Sequence, residues 1–197
     1  MPKPVEVWFE FASTYTHIVL WHLTGPDAPT DVEIRWRPFL LGPIFQAQGW
    51  NTSPFNIYES KGRYMWRDME RLCADQGIPF RRPTIFPAHS LKAARVAILG
   101  QDEAWLPGFL RGVTLAQFRD DRDISDPAVL AAVLTDQGLD AEAILAAAEA
   151  PENKPRLRAQ TEEAQRLGIF GAPTLKVGDE LFWGADRLEQ ALRWARR

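Results

Sequence analysis

The sequence predicts an α/β fold in which the two ends of the chain build one sheet and a helical block is inserted between them. Three observations carry this prediction. Val5, Val7, Phe9 and Phe11 alternate with Glu6, Trp8 and Glu10, the two-residue period of a strand. The middle of the chain has apolar residues at helical spacing, divided by Gly and Pro breaks. Near the C-terminus two short apolar runs flank Gly178-Asp179, a hairpin turn pair.

The elements follow in order. Strand one covers about Val5–Phe11, and its period breaks at Ser13, where Thr14–Leu23 reads as a helix. Ser13 is thus delivered to a strand–helix junction, where free backbone N–H groups and the helix dipole favour an anion. Serine is also a preferred helix N-cap, which is the plainer reading of the same residue. The loop Gly25–Thr30 leads to strand two, about Val32–Arg37, and Leu40–Pro43 ends this βαβ unit. Gly49–Ser60 is rich in turn formers and reads as an ordered loop carrying aromatics.

Met65, Met69, Leu72 and Cys73 then share one face of a helix over 61–76, stopped by Gly77 and Pro79. Ser90 is the expected N-cap of a helix to Leu99, and shorter helices follow at about 104–119, 127–137 and 140–149. Asp126-Pro127 is a helix start, with Asp as cap and Pro in the first helical position. Lys154–Leu167 is a charged amphipathic helix ended by Gly168. Strands at Thr174–Val177 and Glu180–Trp183 surround the hairpin turn, and Asp186 is expected to cap a last helix with Leu188, Leu192 and Ala195 inward. The order βαβ, helices, αββα is that of a thioredoxin-like sheet, with residues 1–43 and 154–197 in the thioredoxin-like domain and 44–153 in a helical insertion domain.

With 197 residues, 46% hydrophobic and 25% charged, the chain fits one globular domain or a domain with a large insertion. A net charge of −3 and a pI of about 5.7 argue against nucleic acid and anionic membrane surfaces as partners. No apolar run approaches the roughly 20 residues that span a bilayer, and Met1-Pro-Lys-Pro carries no signal-peptide pattern. The single cysteine, Cys73, excludes an internal disulfide and fits a reducing cytoplasm. His17 and His22 are spaced wrongly for one helix face, so no metal site is expected. Most of the aromatic residues belong in a core, but Trp50, Phe55 and Trp183 stand beside turn signals and are placed to line a pocket for a flat apolar molecule.

Phe170-Gly-Ala-Pro-Thr-Leu175 reads as a cis-proline turn running into a strand. In a thioredoxin-like fold, Ser13 stands where the first active-site cysteine would be. With no companion cysteine, disulfide exchange is excluded, and no Gly-x-Ser-x-Gly elbow supports a hydrolase.

A run of motifs carries a wider resemblance: Phe11-Ala-Ser13 with Tyr15, Arg37-Pro-Phe-Leu-Leu-Gly42, Gly49-Trp-Asn-Thr-Ser-Pro-Phe-Asn56, and Lys61-Gly-Arg-Tyr-Met-Trp-Arg-Asp68. Phe86-Pro87, Ser90-Leu91, Ala94-Arg95, Phe170-Gly-Ala-Pro-Thr174 and Phe182-Trp-Gly-Ala-Asp-Arg187 continue it. Together they resemble the 2-hydroxychromene-2-carboxylate isomerase family, which shares the fold of DsbA-type oxidoreductases and kappa-class glutathione transferases. The resemblance implies a glutathione-dependent isomerase that interconverts 2-hydroxychromene-2-carboxylate, or a related aromatic catabolite, with trans-o-hydroxybenzylidenepyruvate. It also implies a homodimer.

Carried over by motif, Ser13 is the catalytic residue and a glutathione contact, its hydroxyl favouring thiolate over thiol. Ala172 and Pro173 hold the cysteinyl backbone, Asp186 and Arg187 the γ-glutamyl end, and Asn51 and Lys61 reach glutathione or the substrate carboxylate. Tyr15, Trp50, Tyr64 and His89 fall on the substrate side. Lys61 also reads as a solvated helix-start lysine, and His89 as a polar residue before a helix. Three positions depart from the family pattern: Thr14 replaces a usual proline, Trp50 separates Gly49 from Asn51, and His89 stands where an asparagine is common. A kappa-like transferase and a non-catalytic glutathione-binding protein remain open beside the isomerase.

Overall fold

The computed structural model describes residues 2–197. Strand β1 (Val5–Phe9) leads through α1 (Thr14–Leu23) to β2 (Ile34–Pro38). Seven helices follow: α2 (Leu41–Ala47), α3 (Pro54–Ile57), α4 (Glu59–Asp75), α5 (Leu91–Leu99), α6 (Leu106–Phe118), α7 (Pro127–Thr135) and α8 (Ala141–Glu149). The chain closes with α9 (Lys154–Arg166), β3 (Thr174–Val177), β4 (Glu180–Trp183), a 3-10 turn at Ala185–Arg187 and α10 (Leu188–Ala195). The strands form one sheet in the order β2-β1-β3-β4. β1 runs parallel to β2, with Val5 opposite Ile34, and antiparallel to β3, with Glu6 opposite Lys176. β3 and β4 form the expected hairpin, and Gly178 turns it with a φ of +60° that favours glycine. This is the thioredoxin-like sheet with helices inserted after β2.

Both faces of the sheet are covered. Val5, Val7 and Phe9 point into a core shared with Val19 and Leu20 of α1, Phe109 and Leu110 of α6, and Ala191 and Leu192 of α10. Trp8 points the other way, yet it is buried among Phe39, Ile44, Ala164 and Ile169 beneath α9. The alternation of β1 therefore separates two buried faces, not a buried face from a wet one. Helix α1 is enclosed in the same manner, since Ile18 packs outward on Met65, Trp66, Met69 and Cys73 of α4. Full burial of such side chains stabilises the fold by roughly 1.5–3 kcal/mol each.

Several boundaries differ from the sequence reading. β1 stops at Phe9 because the Glu10 carbonyl turns to accept the Ser13 amide at 3.0 Å. A helix, α2, forms where Leu40–Pro43 was expected to end the unit; Pro43 falls in its first turn, where a missing N–H breaks no bond. The expected loop over 49–60 contains α3, capped by Ser53 accepting from the Phe55 amide at 3.3 Å. Gly62 lets this segment lie on α4, since a Cβ there would stand 2.3 Å from the Phe55 carbonyl oxygen.

Of two further expected caps, one is displaced and the other, Ser90, holds the N-cap position without a side-chain bond. Asp186 sits in the 3-10 turn, so the N-cap of α10 moves to Arg187. Ser90 precedes α5 but makes no capping bond, because its hydroxyl is spent on Glu10. Asp126 does cap α7, accepting from the Ala128 amide at 2.9 Å.

Candidate functional site

Ser13 occupies the N-cap position of α1 with an extended backbone, φ −80° and ψ 125°, and its side chain caps nothing. The hydroxyl instead donates to the Ala172 carbonyl at 2.7 Å, across 159 residues. Ala172-Pro173 is a cis peptide. The Ala172 amide has no hydrogen-bond partner among the described residues. A half-buried hydroxyl and an unpaired backbone donor therefore meet where a strand end faces a helix start.

The turn that follows β4 is tied to this point. The Pro173 carbonyl accepts from the Gly184 amide at 2.9 Å, and the 3-10 turn at Ala185–Arg187 packs against α1. Gly184 has a φ of +109°, and a Cβ there would lie 2.6 Å from the Asp186 carboxylate. The φ favours glycine, whereas the exposed Asp186 side chain can turn away from a Cβ. Asp186 and Arg187 project into solvent, 73% and 53% exposed, and pair with one another at 3.6 Å. Such an exposed pair is worth about 0–1 kcal/mol, so an incoming ammonium and carboxylate can replace it at little cost.

Tyr15 lies one helix step beyond Ser13. Its hydroxyl donates to Asp68 at 3.0 Å, and its ring rests at 6.5 Å from Phe55. Burial first, then the Asp68 bond and charge, then Tyr64 and Asp186, hold the phenol well above its usual range. Tyr15 is therefore a neutral hydrogen-bond donor. The 3-10 turn that carries Asp186 packs on α1, which sets the C-terminal turn beside the α1–α4 seam.

Other expected residues are scattered around this centre. Lys61 extends over the Tyr58 ring at 5.0 Å and pairs with no carboxylate among the described residues. Tyr64 is 62% exposed on α4, with Arg71 over its ring at 5.7 Å. Asn51 is exposed beside Trp50, whose ring lies 5.8 Å from Phe45. His89 is exposed, just before α5. No hydrogen bond joins Asn51, Lys61, Tyr64 or His89 to Ser13 or Ala172 among the described residues. Cys73 is buried on α4, and burial pushes its thiol up to about 11, so it packs rather than reacts.

Sequence reasoning missed Asp68 and Glu10. Asp68 ended a motif already singled out, and its place seven residues after Lys61 was the available signal. Glu10 alternates with Phe9 and Phe11 and is 5% exposed, a burial that the alternation alone does not reveal.

The arrangement can bind a peptide-like zwitterion with a thiol. The Ala172 amide is a free backbone donor of the kind an added peptide strand uses, opposite charges stand at the C-terminal turn, and a hydroxyl at a helix N-terminus suits an anion. The Ser13 proton is committed to a neutral carbonyl, worth about 0.5–1.5 kcal/mol, whereas a bond to an anion is worth about 1.5–3 kcal/mol. A thiolate would win it.

The family model of the DSBA-like thioredoxin domain matches residues 4–193. The 2-hydroxychromene-2-carboxylate isomerase of Sphingobium xenophagum is 31% identical over 196 residues, covering 96% of each chain. Human glutathione S-transferase kappa 1 is 27% identical, covering 96% of this chain and 89% of its own. A crystallised 2-hydroxychromene-2-carboxylate isomerase superposes with a TM-score of 0.86 at 24% identity, over 98% of this chain and 93% of that one.

Proposed function

The chain belongs to the 2-hydroxychromene-2-carboxylate isomerase family of DSBA-like thioredoxin domains, and from that premise we propose that it is a glutathione-dependent isomerase of an aromatic catabolite. The substrate class we assign is 2-hydroxychromene-2-carboxylate or a close relative, with trans-o-hydroxybenzylidenepyruvate as the product. When bound, glutathione supplies a thiol that adds reversibly to a conjugated double bond, frees it to rotate and leaves again, with no net oxidation. The observation that best supports the reading is the Ser13 hydroxyl at the α1 start, 2.7 Å from the Ala172 carbonyl.

In this reading the residues divide the work. Ala172 and Pro173 hold the cysteinyl backbone through the unpaired Ala172 amide. Asp186 takes the γ-glutamyl ammonium and Arg187 its carboxylate. Ser13 turns its proton from Ala172 to the sulfur and lowers the thiol pKa, helped by the α1 dipole. Tyr15, kept neutral, donates toward the substrate side, with Trp50, Tyr64 and His89 around it. Asn51 and Lys61 supply polar and positive contacts for a carboxylate. In this reading residues 1–43 and 154–197 are the thioredoxin-like domain and 44–153 the helical insertion domain. The active form is a cytoplasmic homodimer.

A kappa-type transferase is the second reading, favoured by the 27% identity to the human kappa enzyme. One experiment separates them. Purified protein is mixed with glutathione and a hydroxychromene carboxylate, and product absorbance is followed with thiol titration. Isomerisation with glutathione conserved supports the isomerase. Stoichiometric loss of thiol supports the transferase, and no acceleration over glutathione alone refutes both.

A further inference from the structure

We propose that Glu10 is a positioning residue for Ser13, a buried carboxylate that sets the turn from which the hydroxyl is presented. This rests on the glutathione reading above. Glu10 is 5% exposed and pairs with no basic side chain among the described residues. Burial pushes its pKa up, against the pull of its hydrogen bonds. An unpaired carboxylate is an expensive group to bury, and its place here is explained by what it holds.

Four bonds converge on this residue. One carboxylate oxygen accepts from the Ala12 amide at 3.3 Å and from the Ser90 hydroxyl. The other accepts from the Leu41 amide at 3.1 Å, at the start of α2. The Glu10 carbonyl accepts from the Ser13 amide at 3.0 Å. Glu10 therefore grips the two consecutive amides of Ala12 and Ser13 and anchors them to the starts of α2 and α5. Both backbone partners are N–H donors, so only an acceptor on each oxygen satisfies them. A glutamine of the same shape would turn an NH2 toward one of these amides. The turn would then shift, and Ser13 would lose its alignment with Ala172.

The test is a double-mutant cycle with Glu10→Gln, Ser13→Ala and both together. Glu10→Gln should lower the rate at saturating glutathione by about 10- to 100-fold, as expected for a small misplacement of a reacting group. Its KM for glutathione should stay within about threefold. In the Ser13→Ala background Glu10→Gln should add nothing, because there is no hydroxyl left to aim. Losses that multiply would show that Glu10 supports the fold alone and overturn the proposal, as would an unchanged rate in Glu10→Gln. If Glu10→Gln does not fold, Ser90→Ala replaces it in the same cycle, leaving the carboxylate with both amides. Ligand-free crystal structures of the variant separate this proposal from the glutathione reading. A Ser13–Ala172 bond lengthened beyond hydrogen-bonding distance supports the positioning role whether or not glutathione binds. An unchanged 2.7 Å bond refutes it.

Discussion

Ser13→Ala is the most informative change, because the structure lets its effects on rate and on stability be estimated separately. The Ser13 side chain caps no amide of α1, so its removal costs that helix nothing at its start. What is lost in the resting fold is one neutral bond to the Ala172 carbonyl at 2.7 Å. That is about 0.5–1.5 kcal/mol, or a Tm lower by roughly 2–5 °C for a chain of this size. In the reacting state the lost bond is to a thiolate, worth about 1.5–3 kcal/mol, which predicts a rate loss of about 10- to 100-fold at saturating glutathione. Asp186→Ala should do the reverse, raising KM for glutathione while the saturated rate holds within a few-fold. Steady-state kinetics with glutathione varied, beside thermal melts of the same preparations, give both numbers. Full activity of Ser13→Ala at saturation would refute the reasoning, because the thiolate would then be stabilised elsewhere.

Two further predictions concern the scaffold. His17 is fully buried on α1, with one ring nitrogen 3.0 Å from the Pro79 carbonyl, and burial lowers its pKa to about 4. The folded state therefore resists protonation. Its contribution is complete above the unfolded value near 6.5 and is lost as pH falls from there to about 4, up to ~3 kcal/mol. Chemical denaturation at pH 7 and pH 4.5 should give a smaller drop in His17→Leu than in the unaltered protein, and equal drops would refute the assignment; the raised pKa of Glu10 acts with the opposite sign in both proteins. Gly62→Ala should destabilise by about 1–3 kcal/mol, because its Cβ meets a backbone carbonyl that cannot step aside. An unchanged melting temperature would show that the 49–58 segment yields freely.

Local chemistry was legible in the sequence wherever it decided the structure locally. The bounds of β3 and β4 and the turn at Gly178 followed from alternation and one dipeptide. The cap at Asp126 and the body of α1 followed from short-range rules of the same kind. Legibility failed where a partner lay far along the chain. Ser90 obeys the capping rule in sequence, but a carboxylate 80 residues away takes its hydroxyl. Tyr15 and Asp68, 53 residues apart, meet only because α1 packs against α4. The alternation in β1 says that a strand has two faces, not that both are covered, so it does not reveal that Trp8 and Glu10 are buried.

Ser13 and its partner Ala172 stand near opposite ends of the chain, and so do β1 and β3 in the centre of the sheet. During synthesis the N-terminal βαβ unit emerges first, but it holds only two strands, too few to be stable alone. The helices between β2 and α9 leave the ribosome next; α3 and α4, α6 and α7, and α7 and α8 meet as sequence neighbours, while α6 must return to α1 and α5 must wait for α8. The sheet closes only when β3 arrives, so the slow, non-local step of folding and the assembly of the site are one event. A chain halted before Ala172 is left with an exposed edge on β1 and no chemistry, and chaperones or proteases would meet that species first.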